Sequence, residues 1–165
     1  MDLSLVTSYD ASPEEVFAMI TDVTFQEQVF ERLMAQWYDV AVGDTGDDRA
    51  LRVHWQTPPA DVPVYIRRLV GHSLVVAQNK TWHRPDVDGT READVDGEAT
   101  GVPVRLAGRT RIMPEGRGTT HAFDLHVTAS VPVVGRGLEQ VVIDAVRVRL
   151  EKKFEVAWSW LSGSL

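Results

Sequence analysis

Apolar and polar residues alternate along most of this chain, and helical spacing breaks the alternation in only a few places. Leu3 and Leu5 alternate with polar neighbours between Met1 and Tyr9 and predict a first strand. Ser12-Pro13-Glu14-Glu15 follows with the makings of a helix start. The Ser12 hydroxyl can accept from free backbone N–H groups, Pro13 suits the first helical position, and Glu15 closes a capping box. Val16, Phe17, Met19 and Ile20 give this short helix its apolar face. After a break at Thr21-Asp22, Phe25, Val29, Phe30 and Leu33 give a second. From Gln36 to Ala129 the period is that of strands. Trp37–Val42 and Arg49–Thr57 flank the acidic turn Gly43-Asp44-Thr45-Gly46-Asp47-Asp48 and predict a hairpin. Pro58, Pro59 and Pro63 interrupt the sheet, leaving Val64–Val70 as a short helical or irregular crossing. Ser73–His83, Thr90–Thr100, Val104–Met113 and Thr119–Ala129 supply four more strands. Small residues at Ala93, Gly97, Ala99 and Gly108 let such a sheet curve or leave room beside it.

Leu138–Leu161 predicts the longest helix, about 36 Å at 1.5 Å per residue. Its apolar positions include Leu138, Val141, Val142, Ala145, Val148, Val156 and Trp160, and its polar stripe is Gln140, Asp144, Arg147, Glu151 and Glu155. Such a helix needs an apolar partner, and an antiparallel sheet of seven strands with one solvated face provides it. The expected class is α+β, with residues 1–165 forming one domain.

Bulk composition narrows the function. A 165-residue chain with 44% apolar residues can bury a real core. The formal net charge of -7 leaves little basic surface for phosphates, so nucleic acid is not an expected partner. There are no cysteines, which removes disulfides, thiolate catalysis and thiolate metal sites together. The N-terminus lacks a basic region followed by an apolar core, and no window approaches the roughly 20 apolar residues of a membrane span. A cytoplasmic location is the expectation.

The order strand, two short helices, six strands, long helix is that of the helix-grip fold. The segment Ser12-Pro13-Glu14-Glu15-Val16-Phe17-Ala18-Met19 resembles the opening of the START-like (SRPBCC) superfamily of polyketide cyclases, lipid-transfer domains and plant ligand-binding proteins. Three further features are more narrowly similar to an actinobacterial family known only as a domain of unknown function. These are Pro59-Ala60-Asp61-Val62-Pro63, Trp82 before an Asp/Gly turn, and Pro132-Val133-Val134-Gly135-Arg136-Gly137-Leu138-Glu139. The resemblance spans essentially the whole chain. It implies a sheet curved around the C-terminal helix and a cavity between them, and it brings no catalytic residues with it. In plant members the loop matching the first hairpin is glycine-rich and resembles a phosphate loop. Here its three acids would repel phosphate.

The expected ligand is a hydrophobic small molecule such as a lipid, isoprenoid or polyketide-like compound. The inward residues Trp55, Trp82, Val104, Leu106, Phe123, Leu125, Val141, Ala145 and Val148 either line that cavity or simply fill the core. Arg149 falls inside the apolar arc of the long helix, where its donor fork suits a ligand carboxylate; alternatively it snorkels past the sheet edge or meets a buried acid. Tyr65 either gates the cavity or caps the core, and His121 is either a polar group at the cavity or a satisfied core histidine.

No metal or cofactor is expected. The five histidines show no HxH or HExxH spacing, and His121 and His126 point to opposite faces of one strand. No Gly-x-Ser-x-Gly elbow supports a hydrolase triad. Gly135 and Gly137 could place backbone N–H groups around an anion, though a tight loop explains them too. Two other functions stay open beside carriage. One is an aromatase/cyclase in which Arg149, Tyr65 or His121 polarises a carbonyl. The other is a co-chaperone-like interaction module with a filled core. Exposed strand edges and Trp158 are compatible with a monomer or a homodimer.

Overall fold

A computed structural model describes residues 1–57, 64–70 and 74–164. The expectations placed on Pro58, Pro59, Ala60, Asp61, Val62, Pro63, His72 and Ser73 lie outside the described residues. The elements follow the predicted order: β1 (Asp2–Tyr9), α1 (Pro13–Ile20), α2 (Val23–Arg32), β2 (Trp37–Thr45), β3 (Asp48–Thr57), α3 (Val64–Val70), β4 (Leu74–Trp82), β5 (Arg91–Ala99), β6 (Val102–Glu115), β7 (Gly118–Ala129) and α4 (Gly135–Leu161). All seven strands join one antiparallel sheet in the order β1-β7-β6-β5-β4-β3-β2, so α1 and α2 span the jump from one sheet edge to the other. The sheet curves around α4 as a helix-grip fold.

Both short helices start where local chemistry places them. Ser12 Oγ accepts from the Glu15 amide at 3.2 Å, and Asp22 Oδ1 accepts from the Phe25 amide at 3.0 Å. Each bond satisfies an N–H that the helix itself cannot, so Ser12→Ala or Asp22→Ala should each cost about 1 kcal/mol in urea unfolding.

The first hairpin is tighter than the sequence predicts. Strand pairing runs on to Thr45 opposite Asp48, leaving only Gly46 and Asp47 in the turn. Gly43 and Asp44 carry no apolar alternation, yet ladder hydrogen bonds need only the backbone. Gly46 takes φ +63°, which glycine adopts without strain.

The inward face of α4 differs more from expectation. Leu138, Ile143, Leu150, Lys153, Phe154, Val156 and Ala157 are buried, whereas Ala145 is exposed and Val148 is 48% exposed. Apolar residues occupy nearly every side of the helix between Val141 and Leu150, so the helix alone cannot choose its face. The curved sheet chooses it. Gly135, at the helix start, is packed and buried: a Cβ there would sit 3.1 Å from the Ala129 carbonyl oxygen.

The core divides along the sheet. One half is filled by α1, α2 and the end of α4, with Val16, Met19, Ile20, Phe25, Trp82, Ile112, Val156 and Ala157 packed together. The other half, over the first turns of α4, is only partly filled. There Leu138, Ile143 and Leu150 face Val102, Val104 and Leu106.

Candidate functional site

That under-filled half contains a cavity of about 520 Å³, within the ~300–1,000 Å³ usual for small-molecule sites. Its walls come from the end of β3 (Trp55, Thr57), the start of β4 (Leu74, Val76, Gln78), the end of β5 and the start of β6 (Val102, Val104, Leu106). The first two-thirds of α4 closes it, from Leu138 to Lys152. Gly97 and Ala99 contribute space by lacking bulk, as their positions on the inward face of β5 suggest. Ala145 and Val148 line the cavity and are themselves exposed, which marks this side as its mouth.

Of the expected ligand-binding residues, the structure brings together Trp55, Val104, Leu106, Val141, Ala145, Val148 and Arg149 around this space. It places the others elsewhere. Trp82 and His121 are buried outside the cavity lining, and Phe123 and Leu125, though buried in the same cluster as Val104, Leu106 and Leu138, do not line the cavity either. Phe17 lies edge-on to the Trp82 ring at 5.9 Å, and Phe154 covers Phe123 at 5.8 Å. An inward strand position lines a cavity only where nothing else fills the space above it. Tyr65 lies on α3, 50% exposed, and is not part of the lining.

His121 is held as a core histidine. Its Nε2 lies 2.8 Å from Thr110 Oγ1, and its Nδ1 lies 3.5 Å from the Tyr9 hydroxyl. Burial, then the charges of Lys153 and Lys80, hold its pKa well below the ordinary value, so the ring is neutral at pH 7. Among the described residues no group of three or more metal-ligating side chains occurs. Nor is any helix there long and apolar enough to cross a membrane.

Arg149 is the polar feature of the cavity wall. Its Nη1 donates to Gln78 Oε1 at 3.1 Å, and its guanidinium stacks over Trp55 at 4.3 Å from the ring centroid. The buried Nε has no partner. It therefore neither snorkels out nor meets an acid. Burial lowers its pKa to about 10, which leaves it cationic at pH 7.

Two lysines that composition alone did not single out lie directly behind it. Lys80 follows Gln78 on the same inward face of β4, and Lys153 follows Arg149 by one turn of α4. They are only 6% and 3% exposed. Burial and the Arg149 charge pull Lys80 down to about 7. Burial, Lys80 and Arg149 together hold Lys153 well below the ordinary lysine value. The two amines also interact directly with each other, which holds Lys153 down and raises Lys80 slightly against its burial. The signal for Lys80 was available in the sequence, since it shares strand phase with Trp82. The signal for Lys153 was not, because it required knowing which face of α4 turns inward.

Residues 4–161 match the family described as protein of unknown function DUF2505. The chain belongs to this family. No curated protein compared with the chain matches it. Its fold is shared with solved START-like structures at low identity. TTHA0849 from Thermus thermophilus is 16% identical, with 99% of each chain covered and a TM-score of 0.66. A STAR-related lipid transfer protein from Xanthomonas axonopodis is 13% identical over 92% of this chain and 85% of that one, with a TM-score of 0.55. The Zhui aromatase/cyclase from Streptomyces sp. R1128 is 10% identical over 96% of this chain and 92% of that one, with a TM-score of 0.58. These likenesses place this DUF2505 chain in the START-like fold. The fold is compatible with hydrophobic-ligand binding and with cyclase chemistry alike.

Proposed function

We propose that this protein binds and carries a hydrophobic small molecule in the cavity between β3–β6 and α4. The observation that carries the reading is the cavity itself: a mostly apolar space with a solvent-facing mouth at Ala145 and Val148 and a few fixed polar groups at its inner end. A likeness to a lipid transfer protein agrees with it. The cyclase reading needs several polarising groups around one space, and of Arg149, Tyr65 and His121 only Arg149 reaches the cavity. A filled core would have favoured the interaction-module reading, and the cavity counts against it. With no long apolar helix among the described residues, a cytoplasmic carrier is the reading we adopt.

Ala145 offers a clean test because it lines the cavity from an exposed helix position. In Ala145→Trp the indole fills the mouth, while a surface substitution of this kind shifts stability by only about 0.5 kcal/mol. Titration with N-phenyl-1-naphthylamine should show saturable fluorescence enhancement in the wild type and at least tenfold weaker binding in Ala145→Trp. An unchanged affinity in the variant would move the binding site elsewhere. Failure of the wild type to bind this dye or any member of a lipid and aromatic panel would end the carrier reading.

A further inference from the structure

We propose that the ligand of this cavity carries a carboxylate, which docks on Arg149 with Lys80 and Lys153 supplying the charge behind it. This rests on the carrier reading above and adds the chemical class of the ligand.

The argument starts from a charge imbalance. Arg149, Lys80 and Lys153 share one region where β4 crosses α4, and none forms an ion pair with a carboxylate among the described residues. Long cations are almost never buried unless paired, because removing a charge from water costs several kcal/mol per ion. Two buried basic amines beside a part-buried guanidinium, with no acid among them, form a site lacking its anion. Their neighbours are Gln78 and Leu51 on the sheet, neutral His121 on β7, and through it the neutral Tyr9 hydroxyl on β1. Half-buried Lys152 adds a fourth cation to the cavity wall.

Geometry indicates which anion fits. With Nη1 bonded to Gln78, Arg149 retains an unpartnered Nε, and the edge of a guanidinium matches the two oxygens of a planar carboxylate. The acids nearby, Glu98 and Asp144, stand exposed at the rim. They disfavour a bulky multiply charged head group at the mouth and leave room for a single charge to enter first. The rest of the lining accepts an aliphatic or ring body.

Displacement of N-phenyl-1-naphthylamine by dodecanoate and by 1-dodecanol separates charge recognition from apolar burial. At pH 7 dodecanoate should bind at least tenfold more tightly than the alcohol. Arg149→Met should erase the preference of the cavity for the acid over the alcohol. A second readout needs no variant. Because the anion stabilises charged lysines, dodecanoate binding at pH 8.5 should take up protons, seen calorimetrically as a dependence of the binding heat on buffer ionisation enthalpy. Lys80→Met with Lys153→Met should abolish that uptake. Equal affinities for acid and alcohol without proton uptake would overturn the carboxylate proposal and leave the carrier reading standing. Displacement by neither ligand, with no binding of the dye, would remove both.

Discussion

Replacing Lys80 and Lys153 together by Met should raise the stability of the ligand-free protein at pH 7 by roughly 2–4 kcal/mol. Both amines are buried with no carboxylate partner among the described residues, so each is held either as an unpaired charge or as an amine stripped of its proton. Methionine keeps the unbranched shape and removes that cost. The pair must be changed together, because deleting one amine leaves the other buried without its polar neighbour. The same reasoning gives the wild type an unusual pH profile. Both folded-state lysine pKa values lie below the unfolded value near 10.5, and that of Lys80 is about 7. Between pH 7 and 10 the unfolded chain therefore holds more protons than the folded one, and stability climbs with pH at roughly 1.4 kcal/mol per unit for each displaced proton. Urea unfolding at pH 7 and pH 9 should show wild-type stability rising by roughly 2–5 kcal/mol. The double variant should be nearly flat over the same window. A double variant less stable than wild type, or one with the same pH slope, would show that the amines are solvated or paired in the folded protein.

Gly108→Ala should destabilise the fold by roughly 3 kcal/mol without changing the denaturant m-value. Gly108 sits mid-strand in β6, between Val95 on β5 and Leu125 on β7. A Cβ there would lie 2.2 Å from the Asp124 carbonyl oxygen and 2.8 Å from Leu125 Cα. Both are backbone atoms of the neighbouring strand, so relief requires moving β7 rather than rotating a side chain. Gly43 is the matched control: a Cβ there meets nothing within 4 Å, and Gly43→Ala should stay within about 0.5 kcal/mol of wild type. If both variants behave alike, the tight passage of β7 past Gly108 is not a feature of the folded protein.

Much of the architecture was legible because its signals are local. The Ser12 cap, Pro13 at the first helical position and the inward Ala93-Val95-Gly97 phase of β5 each depend on residues a few positions apart, and each element formed there. Boundaries slipped where side chains stop reporting on the backbone, as at Gly43 and Asp44, which remain paired to the end of the hairpin. The candidate site was legible in part. Trp55, Leu106, Val141 and Arg149 face the cavity, whereas Trp82, His121, Phe123 and Leu125 have the same inward phase and are covered by other side chains. Strand parity tells which side of a sheet a residue is on, and says nothing about what occupies the space above it.

The amino-acid sequence alone determined the order and type of the elements, the curved antiparallel sheet and the long helix packed against it. Periodicity, caps and turn residues act over a few positions and need no knowledge of the rest of the molecule. Only the tertiary structure decided that α1 and α2 fill one half of the sheet's concave face while the other half stays open. It also decided that Ile143, Leu150, Lys153 and Phe154, rather than Ala145 and Val148, turn inward. A helix apolar on nearly every side has no preferred face until a surface is laid against it. Lys80 and Lys153 are 73 positions apart, and their meeting with Arg149 depends on that choice of face.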